Sequence, residues 1–328
     1  MDILSLSLIV AKVVVIFAGL MLMVAYMTLF ERRIVAFIQG RKGPNRVGPQ
    51  GLLQPLADAL KLLSKEDVTP AGANKIIFNL APVITFVPAL LTIAVVPVAD
   101  NLILFGREIS MVISDINIGI LFILAIASLG VYGIILGGWS SNSKYPLLGS
   151  LRSSAQMVSY EVALGLALVG LLMVSGSFSL SEIVHQQSSI LEWNIIKQPL
   201  GFVLFAICAL AESNRIPFDL PEAEAELVGG YNTEFSGIKF AMFFMAEYAN
   251  IIASSAVITT LYFGGWQGPI LPPIVWFLIK VVFFLFGFVW VRATLPRFRY
   301  DQLMRFGWLV LLPLALLNIL ITGIVLVL

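Results

Sequence analysis

Histidine and cysteine each occur once in the 328 residues, as His185 and Cys208. A lone thiol excludes a disulfide framework, and one thiol with one imidazole cannot supply a zinc, haem or iron–sulfur ligand set. Any redox centre served by this chain must therefore be carried by a partner. Charge is scarce as well: Asp, Glu, Lys and Arg make up 12% of the residues, about half the share of an ordinary soluble domain. A formal net charge of +1 leaves no clustered basic surplus for binding nucleic acid. The chain is instead 59% hydrophobic, with a mean hydropathy of +0.97. These residues fall in long runs that a soluble core of this length cannot hide, which specifies an all-α polytopic membrane protein. No cleaved leader is expected. Asp2 stands where a basic n-region belongs, and the first apolar run is too long for an h-region.

Eight hydrophobic segments stand out, at about Leu4–Phe30, Ile76–Val98, Ile116–Trp139, Met157–Val174, Leu200–Ala211, Phe240–Phe263, Ile270–Val291 and Phe306–Leu328. A helix needs roughly 20 residues to cross about 30 Å of hydrocarbon. The first run has 27 residues, about 40 Å of helix, so it must tilt or project. The fifth has 12, about 18 Å, and cannot cross alone. Either it recruits Trp193–Pro199 at its start, or it carries Glu212 below the membrane surface at its end. With the N-terminus outside, inner loops at about 31–75, 140–156, 212–239 and 292–305 hold 16 of the 20 basic residues. The outer loops hold only Arg107 and Lys197. The positive-inside bias therefore places both termini outside and those four loops in the cytoplasm. Residues 1–328 read as a single integral membrane domain without an internal repeat.

In the first inner loop, Leu52, Leu53, Leu56, Leu60 and Leu63 recur at helical spacing, with Asp58, Lys61 and Lys65 on other faces. This is an amphipathic helix lying on the inner membrane surface. Before it, Gly40-Arg-Lys-Gly-Pro-Asn-Arg-Val-Gly-Pro-Gln-Gly51 carries too much glycine and proline to be helical. It lacks both the P-loop pattern and the strand that precedes one, so it does not bind a nucleotide. It reads as a rigid basic hairpin that docks a partner protein, against the simpler account of a plain positive-inside loop.

Ionisable groups at membrane depth cost at least about 2.5–3.5 kcal/mol each and persist mostly for function. Glu161 lies in the fourth span, Glu247 in the sixth and Lys280 near the middle of the seventh, and Glu212 ends the short fifth. For Lys280, two readings stand open: an ion pair with Glu161 or Glu247, or a part in proton handling. Three carboxylates against one central lysine leave at least two without an obvious cation. Desolvation disfavours the charged form of such groups, which suits a proton relay. The loop after Glu212 adds Asp219, Glu222, Glu224, Glu226 and Glu234, balanced only by Arg215 and Lys239. Its apolar neighbours Ile216, Phe218, Leu220, Leu227 and Val228 argue for packing rather than free solvation. An acidic stretch on the basic side suggests a route for protons or cations. Arginines of the last inner loop, Arg292 to Arg299, can pair with those acids or with lipid phosphates. His185 and Cys208 read as inert, and Gly133-x-x-x-Gly137 is a weak helix-packing signal.

The motifs that carry these charges are specific. They are Glu31-Arg-Arg, Gly40-Arg-Lys-Gly-Pro-Asn-Arg-Val-Gly-Pro, Leu56-Ala-Asp-Ala-Leu-Lys, Lys65-Glu-Asp and Ser159-Tyr-Glu. Further along come Ala211-Glu-Ser-Asn-Arg-Ile-Pro-Phe-Asp-Leu-Pro-Glu-Ala-Glu-Ala-Glu-Leu, Met245-Ala-Glu-Tyr and Leu295-Pro-Arg-Phe-Arg-Tyr-Asp-Gln-Leu-Met. Over essentially its whole length the chain resembles the subunit 1, or H, family of the proton-pumping NADH–quinone oxidoreductase, respiratory complex I. The compact length and Gly264-Gly-Trp-Gln-Gly-Pro resemble the bacterial form, which implies the bacterial inner membrane.

The resemblance implies a subunit that anchors the hydrophilic arm and forms the membrane-side entrance and much of the quinone tunnel. It implies quinone as substrate and no covalently bound cofactor, with NADH, FMN and iron–sulfur clusters on partner subunits. The partners implied are the hydrophilic quinone-site and iron–sulfur subunits, the small membrane subunits and membrane lipids. By match to the family motifs, Glu31, Arg32, Arg41, Asp58, Arg292 and Arg297 belong to the tunnel. Glu66, Glu161, Glu212, Glu222, Glu224, Glu226 and Glu247, with Lys280, belong to the proton relay. The residues taken alone leave three classes open: a quinone-reactive proton-coupled subunit, the membrane anchor of a proton-coupled hydrogenase, and a secondary transporter. The last is disfavoured by the lack of paired broken helices in two matching halves.

Overall fold

The structure is a computed structural model and describes residues 3–100, 102–104, 107–219 and 228–328. In chain order its helices are α1 (Ile3–Ile38), α2 (Gln54–Ser64), α3 (Lys75–Leu91), α4 (Gly119–Ser140), α5 (Lys144–Ser175), α6 (Leu180–His185), α7 (Asn194–Lys197), α8 (Pro199–Glu212), α9 (Gly237–Tyr262), α10 (Pro273–Thr294) and α11 (Tyr300–Val327). Seven of them are long and apolar enough to cross a membrane: α1, α3 with its added 3-10 turn to Val95, α4, α5, α9, α10 and α11. The apolar α8 is shorter. Among the described residues the only strands are Leu102–Leu104 and Arg107–Ile109, paired antiparallel in the α3–α4 connection.

Several helices run past the limits that hydropathy suggests. α1 continues beyond Phe30 through Glu31, Arg32 and Arg33 to Ile38. Charge lowers hydropathy but does not break a helix, and no glycine or proline intervenes until Gly40, where φ turns to +65°. Likewise 144–156, expected as a loop, forms the first turns of α5. Two of its serine hydroxyls fold back on the helix: Ser150 donates to Leu147 O at 2.9 Å and Ser154 to Leu151 O at 3.0 Å. The last span begins at Tyr300, with one π-helical turn at Gly307–Leu311.

The short fifth span gains no length at its start. Gln198 leaves helical geometry (φ −134°, ψ 57°) and Pro199 opens α8, so α7 remains a separate turn and lends no length. The 14 residues of α8 span about 21 Å, and Glu212 is its last residue.

Loops gather at two ends of the bundle. At the basic end, Asn74 N–H donates to Ser140 O (3.1 Å), Phe298 N–H to Pro217 O (3.1 Å), and Lys239 pairs with Asp67 (2.9 Å). At the opposite end, Lys12 Nζ donates to Val112 O (2.9 Å) and Gln198 Nε2 to Thr322 Oγ1 (2.7 Å). The start of α1 and the end of α11 thus share the end opposite the basic loops. The buried core centres on α5, α8 and α9, with Tyr160, Leu171, Leu204, Cys208, Ala249 and Ile258 almost wholly enclosed. α3 packs tightly on α4, where a Cβ at Gly133 would overlap Thr85. At the basic end α2 leaves Leu56, Leu60 and Leu63 exposed, the uncovered apolar face expected of a surface helix. The preceding hairpin closes at Gly51, buried at φ +79°, where a Cβ would strike the Pro44 carbonyl.

Candidate functional site

The long α1 carries Glu31 against α9 and α10, where it is buried. There Glu31 pairs with Arg292, near the end of α10, and with Arg215, just after α8, at 3.6 Å. Arg215 Nη2 reaches Glu247 of α9 at 3.3 Å, and Tyr231 donates to Glu247 at 3.4 Å. The Arg215 guanidinium also lies over the Tyr248 ring, 4.4 Å from its centroid. Four charges from four segments therefore form one buried chain, Arg292–Glu31–Arg215–Glu247, in which each acid has a cation and the sum is neutral. In the sequence Arg215 stands out only as a counter-charge of the acidic loop. Its one signal there is being the sole basic residue between Glu212 and Glu234.

From Glu247 the polar line continues through cavities. One of about 20 Å³ is lined by Glu247, Tyr231, Asn250, Asn214, Ser213 and Glu212. A second of about 40 Å³ is lined by Glu212, Asn250, Ser254, Thr92 and Glu161, with otherwise apolar walls. Each has room for about one water or a few, and its polar groups would hold them. Among the described residues no lysine or arginine lines either cavity. Glu212 and Glu161 thus face one small space that no lysine or arginine of the described residues lines, with Glu212 bordering both cavities.

The remaining expected site residues are more scattered. Arg32 pairs with Asp58 at 2.6 Å, tying α1 to α2 at the exposed surface. Arg297 pairs with the buried Asp219 at 2.9 Å, beside the packed rings of Phe218 and Phe298. Arg41 is exposed and donates to Gln39, and Glu66 is exposed, its backbone carbonyl accepting from Ser236. Glu222, Glu224 and Glu226 lie outside the described residues. Lys280 sits in the second turn of α10, nearer the end opposite the basic loops than its place in the hydrophobic run suggests. Its Nζ donates to the carbonyls of Phe263, Gly265 and Gln267 at 2.7, 3.0 and 2.7 Å. An ion pair of Lys280 with Glu161 or Glu247 is absent among the described residues, because the α9–α10 turn folds back and takes up all three ammonium donors.

A third space lies on the outside of the bundle. Phe30, Arg33, Ile34, Phe37 and Ile38 of α1 face Phe286 and Trp290 of α10 across an open apolar groove of about 560 Å³. Arg33 is its single charged residue. Arg32, one helical step of about 100° away, points instead to Asp58.

The chain matches the NADH dehydrogenase family model over residues 11–323. It is 57% identical over 318 residues to an H-type subunit of the NADH-quinone oxidoreductase of Geobacter metallireducens, covering 97% of this chain and 96% of the relative. It is 55% identical to the H-type subunit of the NADH-quinone oxidoreductase of Thermomicrobium roseum, covering 92% and 91%. It is also 55% identical to NADH-ubiquinone oxidoreductase chain 1 of Chondrus crispus, covering 96% of each.

Proposed function

Given that this chain belongs to the NADH dehydrogenase family, as a membrane subunit of NADH–quinone oxidoreductase, we propose that its buried carboxylates couple quinone reduction to proton movement. It is a multi-pass inner-membrane protein and serves the enzyme without a complete active site of its own. Quinone is the substrate, and the redox groups reside on partner subunits. Both termini face outward, as the loop distribution of Lys and Arg requires. The basic end, with the Gly40–Gly51 hairpin and the uncovered face of α2, anchors the hydrophilic arm. The α1–α10 groove serves as the membrane-side mouth for the quinone tail. Its volume suits a ligand site, it lies at membrane depth, and an isoprenoid chain entering there is never exposed to water. Arg33 stands at its rim for a polar headgroup.

The observation that carries the coupling is the succession from Arg292–Glu31–Arg215–Glu247 to two small cavities that share Glu212 and Asn250 and reach Glu161. Two electrons entering a quinone near the charged chain add negative charge there until two protons complete the quinol. Glu247 and Glu31 then lean differently on Arg215, and Glu212 answers by gaining or releasing a proton through the intervening cavity. Glu161 passes the change toward the neighbouring membrane subunits, and the acidic stretch Glu222, Glu224 and Glu226 supplies protons from the cytoplasm. Lys280 takes no part in the transfer, since its donors are occupied. The hydrogenase-anchor and transporter alternatives have no observation in their favour.

Glu212→Gln keeps the side chain's shape but cannot ionise. It should assemble and pass electrons from NADH to a hydrophilic artificial acceptor at the normal rate. Quinone reductase activity and the proton gradient should fall together. Full quinone reduction with full pumping would make Glu212 structural and the relay reading wrong.

A further inference from the structure

The acidic line has a second end that the proposed function leaves unexplained. The cavity shared by Glu212 and Glu161 extends away from the basic loops to Phe205 and Leu261. Above it the packing is aromatic: Phe205 meets Tyr262 (centroids 5.8 Å), Phe202 meets Tyr262 and Phe263 (5.6 and 5.4 Å), and Phe263 meets Phe284 (4.9 Å). Directly beyond Phe263 stands the ammonium of Lys280, a residue only 7% exposed. Three backbone carbonyls hold it, and the Trp193 ring lies 4.6 Å away. Trp193 in turn packs on Phe263 at 5.8 Å.

A lysine paired with a carboxylate would leave no net charge, only the weaker field of a dipole. Here the ligands are carbonyl dipoles, so the ammonium's hydrogen bonds are satisfied without a counter-ion to cancel its charge. The turn that supplies them is itself locked: Gly264 N–H donates to Gln187 Oε1 at 3.1 Å and Gly265 N–H to Thr259 O at 2.9 Å. An apolar constriction excludes water, and a fixed cation opposes the passage of a proton; pores that must block protons use both devices.

We propose that Lys280 and the aromatic layer of Phe202, Phe205, Tyr262, Phe263 and Phe284 seal the outer end of the acidic line. The line therefore exchanges protons with the quinone side and laterally, and not with the outer compartment. Lys280 acts through its charge and the turn it holds, as a positioning residue and barrier. This inference rests on the reading of Glu161 and Glu212 as proton carriers.

The test uses the whole respiratory complex reconstituted in liposomes with a trapped pH indicator, without NADH, after an external pH jump. Lys280→Met retains length and apolarity but removes the charge and the three hydrogen bonds. Passive proton flux should rise about tenfold, the scale of one unit charge removed from a passage of intermediate dielectric. Phe284→Ala, which leaves the carbonyl cage intact, should also leak. Adding Glu212→Gln to either variant should return the flux to the wild-type level. Wild-type tightness in both single variants would overturn the seal, whatever the fate of the relay. A leak that survives Glu212→Gln would overturn the assignment of the passage to the acidic line, and with it the relay reading. Should Lys280→Met fail to assemble, Phe284→Ala alone decides between a seal and none.

Discussion

At the basic end of the bundle, Glu31, Arg215, Glu247 and Arg292 meet one another as charges. At the opposite end, Gln187, Asn194 and Lys280 meet backbone groups. Gln187 accepts from the N–H groups of Asn194 and Gly264 and donates to the carbonyls of Ile183 and Thr260, and Asn194 donates to Leu261 O. Both regions bury polar atoms inside an apolar bundle, where an unmatched group is expensive. They differ in what can change. An acid between two arginines has alternative partners and two protonation states, so the first network can respond to a new charge. An amide bound on both its oxygen and its nitrogen has neither freedom, so the second can only hold its shape. One end is built to react and the other to stay closed.

That contrast breaks most sharply at Arg215. Arg215→Leu leaves Glu31 and Glu247 buried together without the cation between them, and losing one partner of a buried pair costs about 3–5 kcal/mol. The detergent-purified complex should show a large fall in thermal stability and lose quinone reductase activity; near-normal values for both would remove the charged chain from the coupling. Gln187→Leu attacks the other end. It orphans buried backbone groups at about 1–3 kcal/mol each, so thermal stability should drop while quinone reductase activity stays unchanged. A loss of quinone reduction with unchanged stability would show that this end is not merely a closure. The smallest effect belongs to Arg32→Gln. Its pair with Asp58 is 47% and 32% exposed, and such pairs contribute about 0–1 kcal/mol. Stability and quinone reduction should both be nearly normal. A strong loss of quinone reduction would move the headgroup site from Arg33 to Arg32.

The charged residues within hydrophobic runs are legible in the chain because a place in such a run is a local property. Glu161, Glu212 and Glu247 are found that way, and so is the shortness of the fifth span. Arg215 is not, since nothing in its loop tells that Glu31, 184 positions earlier, stands opposite it. Arg32 and Arg33 are neighbours in sequence yet serve different surfaces, because the rotation of α1 about its axis decides which one faces α10. Lys280 lies at a different depth from its place in the run for a related reason. The hydrophobic run includes Ile270 and Leu271, but the helix begins only at Pro273, and the turn before it folds back over the lysine.

The all-helical membrane class and the amphipathic helix of the first basic loop are already written in the order of residues. Those properties follow from composition and from the succession of apolar and charged segments, which are summed along the chain without reference to distant contacts. Three-dimensional packing was needed to join four charges from four segments into one chain, to set two glutamates around one small cavity, and to give Lys280 carbonyls instead of acids as ligands. Each of those depends on how far one helix is shifted and rotated against another. That is fixed by close packing, such as α3 against α4 at Gly133, and by turns such as Gly264–Gly265, which bring together residues that no spacing along the chain relates.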